Sequence, residues 1–106
     1  MLLFLAEPSS QALETLVFNH LSKLYPDEVS YLRENLEVDF LVPEKLLVQV
    51  SYTLKDPSTR QRELKALSTA REKYNTDNIL IITMNEEEVL DEGIRVVPVW
   101  KWVLEG

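Results

Sequence analysis

Apolar and polar positions change period several times along the chain. Ala12, Leu13, Leu16, Val17, His20, Leu21 and Leu24 recur at helical spacing, which predicts an amphipathic helix from about Gln11 to Leu24. Ser9 and Ser10 can cap it, and Pro26-Asp27 end it. Glu28 to Arg33 alternates weakly and predicts a strand, followed by a turn at Glu34-Asn35. Leu36 to Val42 alternates well, Pro43-Glu44-Lys45 forms a turn, and Leu46 to Tyr52 alternates again. Asp56-Pro57 then caps and opens a helix expected over Pro57 to Tyr74, with Leu64, Leu67, Ala70 and Tyr74 as its apolar stripe. After a turn at Asn75 to Asn78, the run Ile79-Leu80-Ile81-Ile82 within Asn78 to Met84 predicts a central strand covered on both faces. Arg95 to Val97 is a last short strand, and Pro98 opens a final amphipathic helix.

The expected order is therefore α-β-β-β-α-β-β-α, an α/β fold with a hairpin-rich sheet. A chain of 106 residues, 45% hydrophobic and 27% charged, suits a single globular domain over its whole length. The first residues, MLLFLAEPSS, lack a basic residue before the apolar run, and Glu7-Pro8 close that run at once. They are expected to form an edge strand or the cut end of a domain, not a signal peptide. No apolar run approaches the roughly 20 residues that span a bilayer. The absence of cysteine excludes disulfides and thiolate metal sites and fits a cytoplasmic setting. Gly93 and Gly106 are the only glycines, which excludes Gly-rich phosphate loops of the dinucleotide and P-loop kinds.

Net charge is −7, which disfavours non-specific nucleic-acid binding. The charge is uneven. Lys55 to Lys73 holds six basic and three acidic residues, so it is +3 and the remainder is −10. Glu86, Glu87, Glu88, Asp91 and Glu92 crowd one predicted loop.

The chemistry concentrates in the hairpin. With a three-residue loop at Pro43-Glu44-Lys45, Val42 pairs with Leu46, Asp39 falls opposite Gln49, and Glu37 falls opposite Ser51. Period two puts Glu37, Asp39, Gln49 and Ser51 on one face, and Val38, Phe40, Val42, Leu46, Val48 and Val50 on the other. The polar face offers two carboxylates and an amide carbonyl, oxygen donors suited to Mg²⁺. The same pattern also describes a solvated hairpin face without chemistry.

Glu14 in the first helix, Glu37-Val38-Asp39-Phe40, and Gln49-Val50-Ser51-Tyr52 resemble the three motifs of the PD-(D/E)XK nuclease superfamily. Leu16 to Leu21, Arg62 to Leu67, Ile81 to Thr83 and Val97 to Trp102 extend the resemblance to one branch, the C-terminal domain of unknown function of prokaryotic AAA-type ATPases. Together the segments span about Ala12 to Leu104. The resemblance implies a restriction-endonuclease-like core, α-β-β-β-α-β, with a further short strand and a C-terminal helix. It implies Asp39 and Gln49 as ligands of Mg²⁺, Glu14 as an auxiliary acid, and an AAA-type ATPase module in cis. Ser51 stands where the superfamily has its lysine. A hydroxyl supplies no positive charge to a developing phosphorane, a loss worth ~10²-fold or more in rate. Gln49 replaces a carboxylate by a neutral amide. Arg62 and Lys65 are candidates for a migrated cation, although they and Lys73 fall away from the apolar stripe, whereas Arg60 and Glu63 fall nearer to it.

These features predict a non-catalytic nuclease-fold module that binds or regulates. A weak Mg²⁺-dependent DNA nuclease and a structural oligomerisation module are the alternatives. DNA is a weak candidate partner given the acidic charge, a second copy is another, and a membrane is not expected. His20 is expected to be a packed, hydrogen-bonded residue. Trp100 and Trp102 lie about 200° apart on a helix, so one is expected in the core and the other on a contact surface. Glu86 to Glu88 is expected to be a solvated loop, and the basic helix face a solvated one.

Overall fold

The structure is a computed structural model that describes residues 10–32 and 38–105. The expected N-terminal edge strand, the Glu34-Asn35 turn and Glu37 lie outside the described residues. The elements are α1 (Ser10–Leu24), β1 (Ser30–Tyr31), β2 (Phe40–Val42), β3 (Leu46–Val50), α2 (Pro57–Tyr74), β4 (Ile79–Thr83), β5 (Glu88–Val89), a 3₁₀ turn (Asp91–Gly93), β6 (Arg95–Pro98) and α3 (Val99–Glu105). One six-stranded mixed sheet runs β1-β2-β3-β4-β6-β5. The β3–β4 and β4–β6 pairs are parallel, and the others are antiparallel. Among the described residues no helix is long and apolar enough to cross a membrane.

The β2–β3 hairpin keeps the expected register, with Val42 opposite Leu46 and Phe40 opposite Val48. Its turn is closed by the Lys45 amide donating to the Val42 carbonyl at 2.9 Å, and Glu44 sits at φ 65°. Proline at the first central position and a positive φ at the second is the pattern of a type II turn. Asn75, at φ 50°, ends α2 in the left-handed conformation asparagine tolerates.

The sheet carries a core on each face. α1 buries Leu13, Val17 and Leu21 against Phe40, Val42, Val48, Val50, Leu80 and Ile82, and Val99 and Trp102 of α3 complete that cluster. α2 buries Leu67 and Ala70 against Leu41, Leu47, Ile79, Ile81 and Val96. β4 is buried at every position, as its unbroken apolar run predicts.

Three expectations are corrected. Val38 packs in the α2-side cluster, not beside Phe40. Strand pairing begins only at Phe40, so period two does not hold across Asp39. The acidic stretch is not simply a solvated loop: Glu88 begins β5, an edge strand paired with β6. Gly93, at φ 78°, lets the chain turn back between them. His20 packs edge-on against Trp102, with ring centroids 4.7 Å apart. Its Nε2 is buried without a hydrogen-bond partner among the described residues. Trp102 is buried and Trp100 exposed, the division their spacing predicts.

Candidate functional site

Among the described residues, Asp39, Gln49 and Ser51 of the hairpin are buried, not solvated. Asp39, Gln49, Ser51 and Glu63 are each 7% exposed or less. Burial on that scale requires hydrogen bonding, and the partners come from three elements.

Asp39 sits where β2 begins to separate from β3. Its carbonyl accepts from the Leu32 amide at 3.2 Å, which extends the pairing toward β1. Its own amide donates to Gln49 Oε1 at 3.0 Å, and its Oδ2 accepts from the Val50 amide at 2.9 Å. Side chains thus replace the next rungs of the ladder. Gln49 turns its other end to α2, where Nε2 donates to Glu63 Oε1 at 2.5 Å. An amide suits this place because it accepts at one end and donates at the other. A carboxylate at position 49 would face Glu63 as a like charge unless one of the two took up a proton.

Glu63 is the residue that sequence reasoning left out of the site. Its signal was present: it lies four residues before Leu67, in line with the buried stripe of α2, and buried acids need partners. Arg60, the other residue expected near that stripe, instead reaches β5. Arg62 and Lys65 are exposed on α2, as their phase predicts. Glu14 is half-buried on α1, which covers the opposite face of the sheet from α2.

A second polar group forms at the carboxyl ends of the parallel strands β3 and β4. Ser51 Oγ donates to the Thr53 carbonyl at 3.1 Å. Glu86 accepts from Thr53 Oγ1 through Oε2 and from the Leu54 amide through Oε1, the latter at 2.7 Å. Thr83 Oγ1 donates to the Glu86 carbonyl at 2.8 Å and accepts from its amide at 3.0 Å. Glu86 therefore clamps the segment after β3 to the segment after β4. Glu87 pairs with Lys101 of α3.

Arg60 donates from Nη1 and Nη2 to the two Glu88 oxygens, each at 2.9 Å. That hydrogen bonding holds the Glu88 carboxyl below its ordinary range. The small stabilisation from this pair is present above the unfolded glutamate pKa and lost as pH falls through the lower folded value. Arg60→Ala is expected to return Glu88 to the ordinary glutamate range in an NMR titration. An unchanged Glu88 titration would show that the pair does not form.

The Gln49 carbonyl oxygen accepts from the Asp39 amide, and Asp39 Oδ2 accepts from the Val50 amide. Among the described residues no group of three or more His, Asp or Glu is arranged to hold a metal ion. The site's hydrogen bonds instead join β1, β2, β3 and α2 into one unit. Comparison with family models, with curated proteins and with solved structures finds no match to this chain.

Proposed function

We propose that this domain is a nuclease-fold module without catalysis, which binds or regulates within or beside an AAA-type ATPase. The fold family and the ATPase association rest on the sequence resemblance, and the element order α-β-β-β-α-β is compatible with them. The observation that carries the loss of catalysis is the state of Gln49. Its amide bridges the Asp39 backbone and the Glu63 carboxylate, so the second motif position serves as a structural tie. Ser51, at the lysine position, donates to the Thr53 carbonyl and brings no positive charge to a phosphate. The module's role is then to present a surface, not to cut a phosphodiester.

The test is cleavage of supercoiled plasmid, linear duplex and single-stranded DNA in Mg²⁺ or Mn²⁺. No cleavage above the buffer control is expected. Cleavage that Asp39→Ala abolishes would overturn the proposal in favour of a weak metal-dependent nuclease.

A further inference from the structure

α1 and α3 lie side by side on one face of the sheet, joined inside by His20 and Trp102 and by a shared core. Outside, they leave Leu16 46%, Trp100 56%, Val103 36% and Leu104 80% exposed. With Val99, these side chains line one groove of about 420 Å³. Every lining side chain is apolar. The patch amounts to roughly 400 Å², within the range of the largest apolar patch on a single chain, which often serves in binding.

Charge and size point to what the partner is. Glu14 and Lys23 cancel on α1, and Lys101 and Glu105 cancel on α3, in a chain whose net charge is −7. α2 has five basic and two acidic residues, or +3, so −10 resides outside the three helices. Two copies meeting through α1 and α3 bring little net like charge together even with Glu87 on Lys101, whereas the acidic remainder of the surface would repel a second copy. A standard interface takes about 800 Å² from each partner, a little over half of it apolar. A patch of roughly 400 Å² supplies that apolar centre, and Asn19 and Lys23 of α1 are exposed for the rim.

We propose that the α1–α3 groove is the contact of a two-fold homodimer, in which Trp100 of each copy enters the groove of the other. A two-fold contact uses the same patch on both copies, and tryptophan is the side chain most enriched at the centre of such contacts. The proposal does not depend on the hairpin reading, since no residue of the Asp39–Gln49–Glu63 set lies in the groove.

Sedimentation velocity on the whole chain, from low micromolar to several hundred micromolar, tests it. A concentration-dependent monomer–dimer equilibrium is expected. Leu104→Asp and Leu16→Asp should each weaken it about tenfold or more, with the circular dichroism of the dilute monomer unchanged because both side chains reach the surface. Val89→Asp is the control, because Val89 lies on the β5 edge and is 75% exposed; it should leave the equilibrium unchanged. A monomer at every concentration overturns the proposal. So does a dimer that survives both leucine substitutions, or one lost only in Val89→Asp, which would assign the contact to the sheet edge.

Discussion

Gln49→Leu is expected to destabilise the domain by about 3 kcal/mol. Leucine has a similar volume, so the loss comes from hydrogen bonds and not from a cavity. Two buried groups each lose a hydrogen-bond partner at once. The Asp39 amide loses its acceptor at 3.0 Å, and the Glu63 carboxylate loses the donor at 2.5 Å. Each unmade buried hydrogen bond costs about 1–3 kcal/mol, and more when the abandoned group is charged. Urea denaturation measures the sum, and a loss under about 1 kcal/mol would remove Gln49 from its bridging role. The double variant Gln49→Leu/Glu63→Leu separates the two parts. Once the acid is gone, the second substitution should recover part of the loss, because apolar replacement of both partners leaves fewer groups unsatisfied. Simple additivity would mean that the two side chains are not coupled. The result bears on function. A loss of that size would show that the bridge between hairpin and helix itself constrains position 49.

Phe40→Ala should cost still more, about 4 kcal/mol. Phe40 is fully buried at the start of β2. Its ring lies 5.9 Å from Phe18 of α1 and 5.0 Å from Tyr31 of β1, and Phe18 stacks on Tyr31 at 5.5 Å. Removing it opens a cavity where a helix, an edge strand and the hairpin meet. β1 has two residues and two ladder partners, so this aromatic cluster is a principal tie between it and the rest. For a domain near 100 residues, each kcal/mol lowers the melting temperature by about 4–8 °C. The variant should therefore melt at least 15 °C lower, or about that, or fail to fold. Phe40→Leu keeps most of the volume and should remain folded with a smaller loss. A Phe40→Ala loss below about 2 kcal/mol would show that the cluster carries little of the packing.

Much of this architecture could be read from residue order. The bounds of α2 follow from Asp56-Pro57 at one end and Asn75 at the other, where local chemistry starts and stops a helix irrespective of its neighbours. The β2–β3 register follows from alternation and a turn at Pro43-Glu44-Lys45, since a one-residue slip would expose the apolar face. The two-residue β5 could not be read this way. Glu88 and Val89 carry no alternation long enough to see, and they become a strand because β6 offers them an edge. Val38 was misplaced for a related reason: strand parity assumes an unbroken ladder, and the chain leaves the ladder at Asp39.

The candidate site divides in the same way. That Asp39 lies near Gln49 follows from the hairpin register, which the turn and the alternation from Phe40 onward specify. The contact itself is made by the Gln49 side chain and not by a ladder pair. The hydroxyl at Ser51 is likewise a matter of residue identity. Glu63 belongs to the site only through tertiary structure. A helix beginning more than a dozen residues after the hairpin's turn had to dock on that face before its one buried acid could meet the Gln49 amide. The packing of α2 over the hairpin also decided between a solvated face and a buried one, since alternation reports which residues share a side of a strand but not what covers it. The sequence by itself thus determined the helices, the longer strands and the β2–β3 register. The tertiary structure decided that Asp39 and Gln49 are buried and that their hydrogen bonds hold strands to helix, because only the docking of α2 brings Glu63 to them.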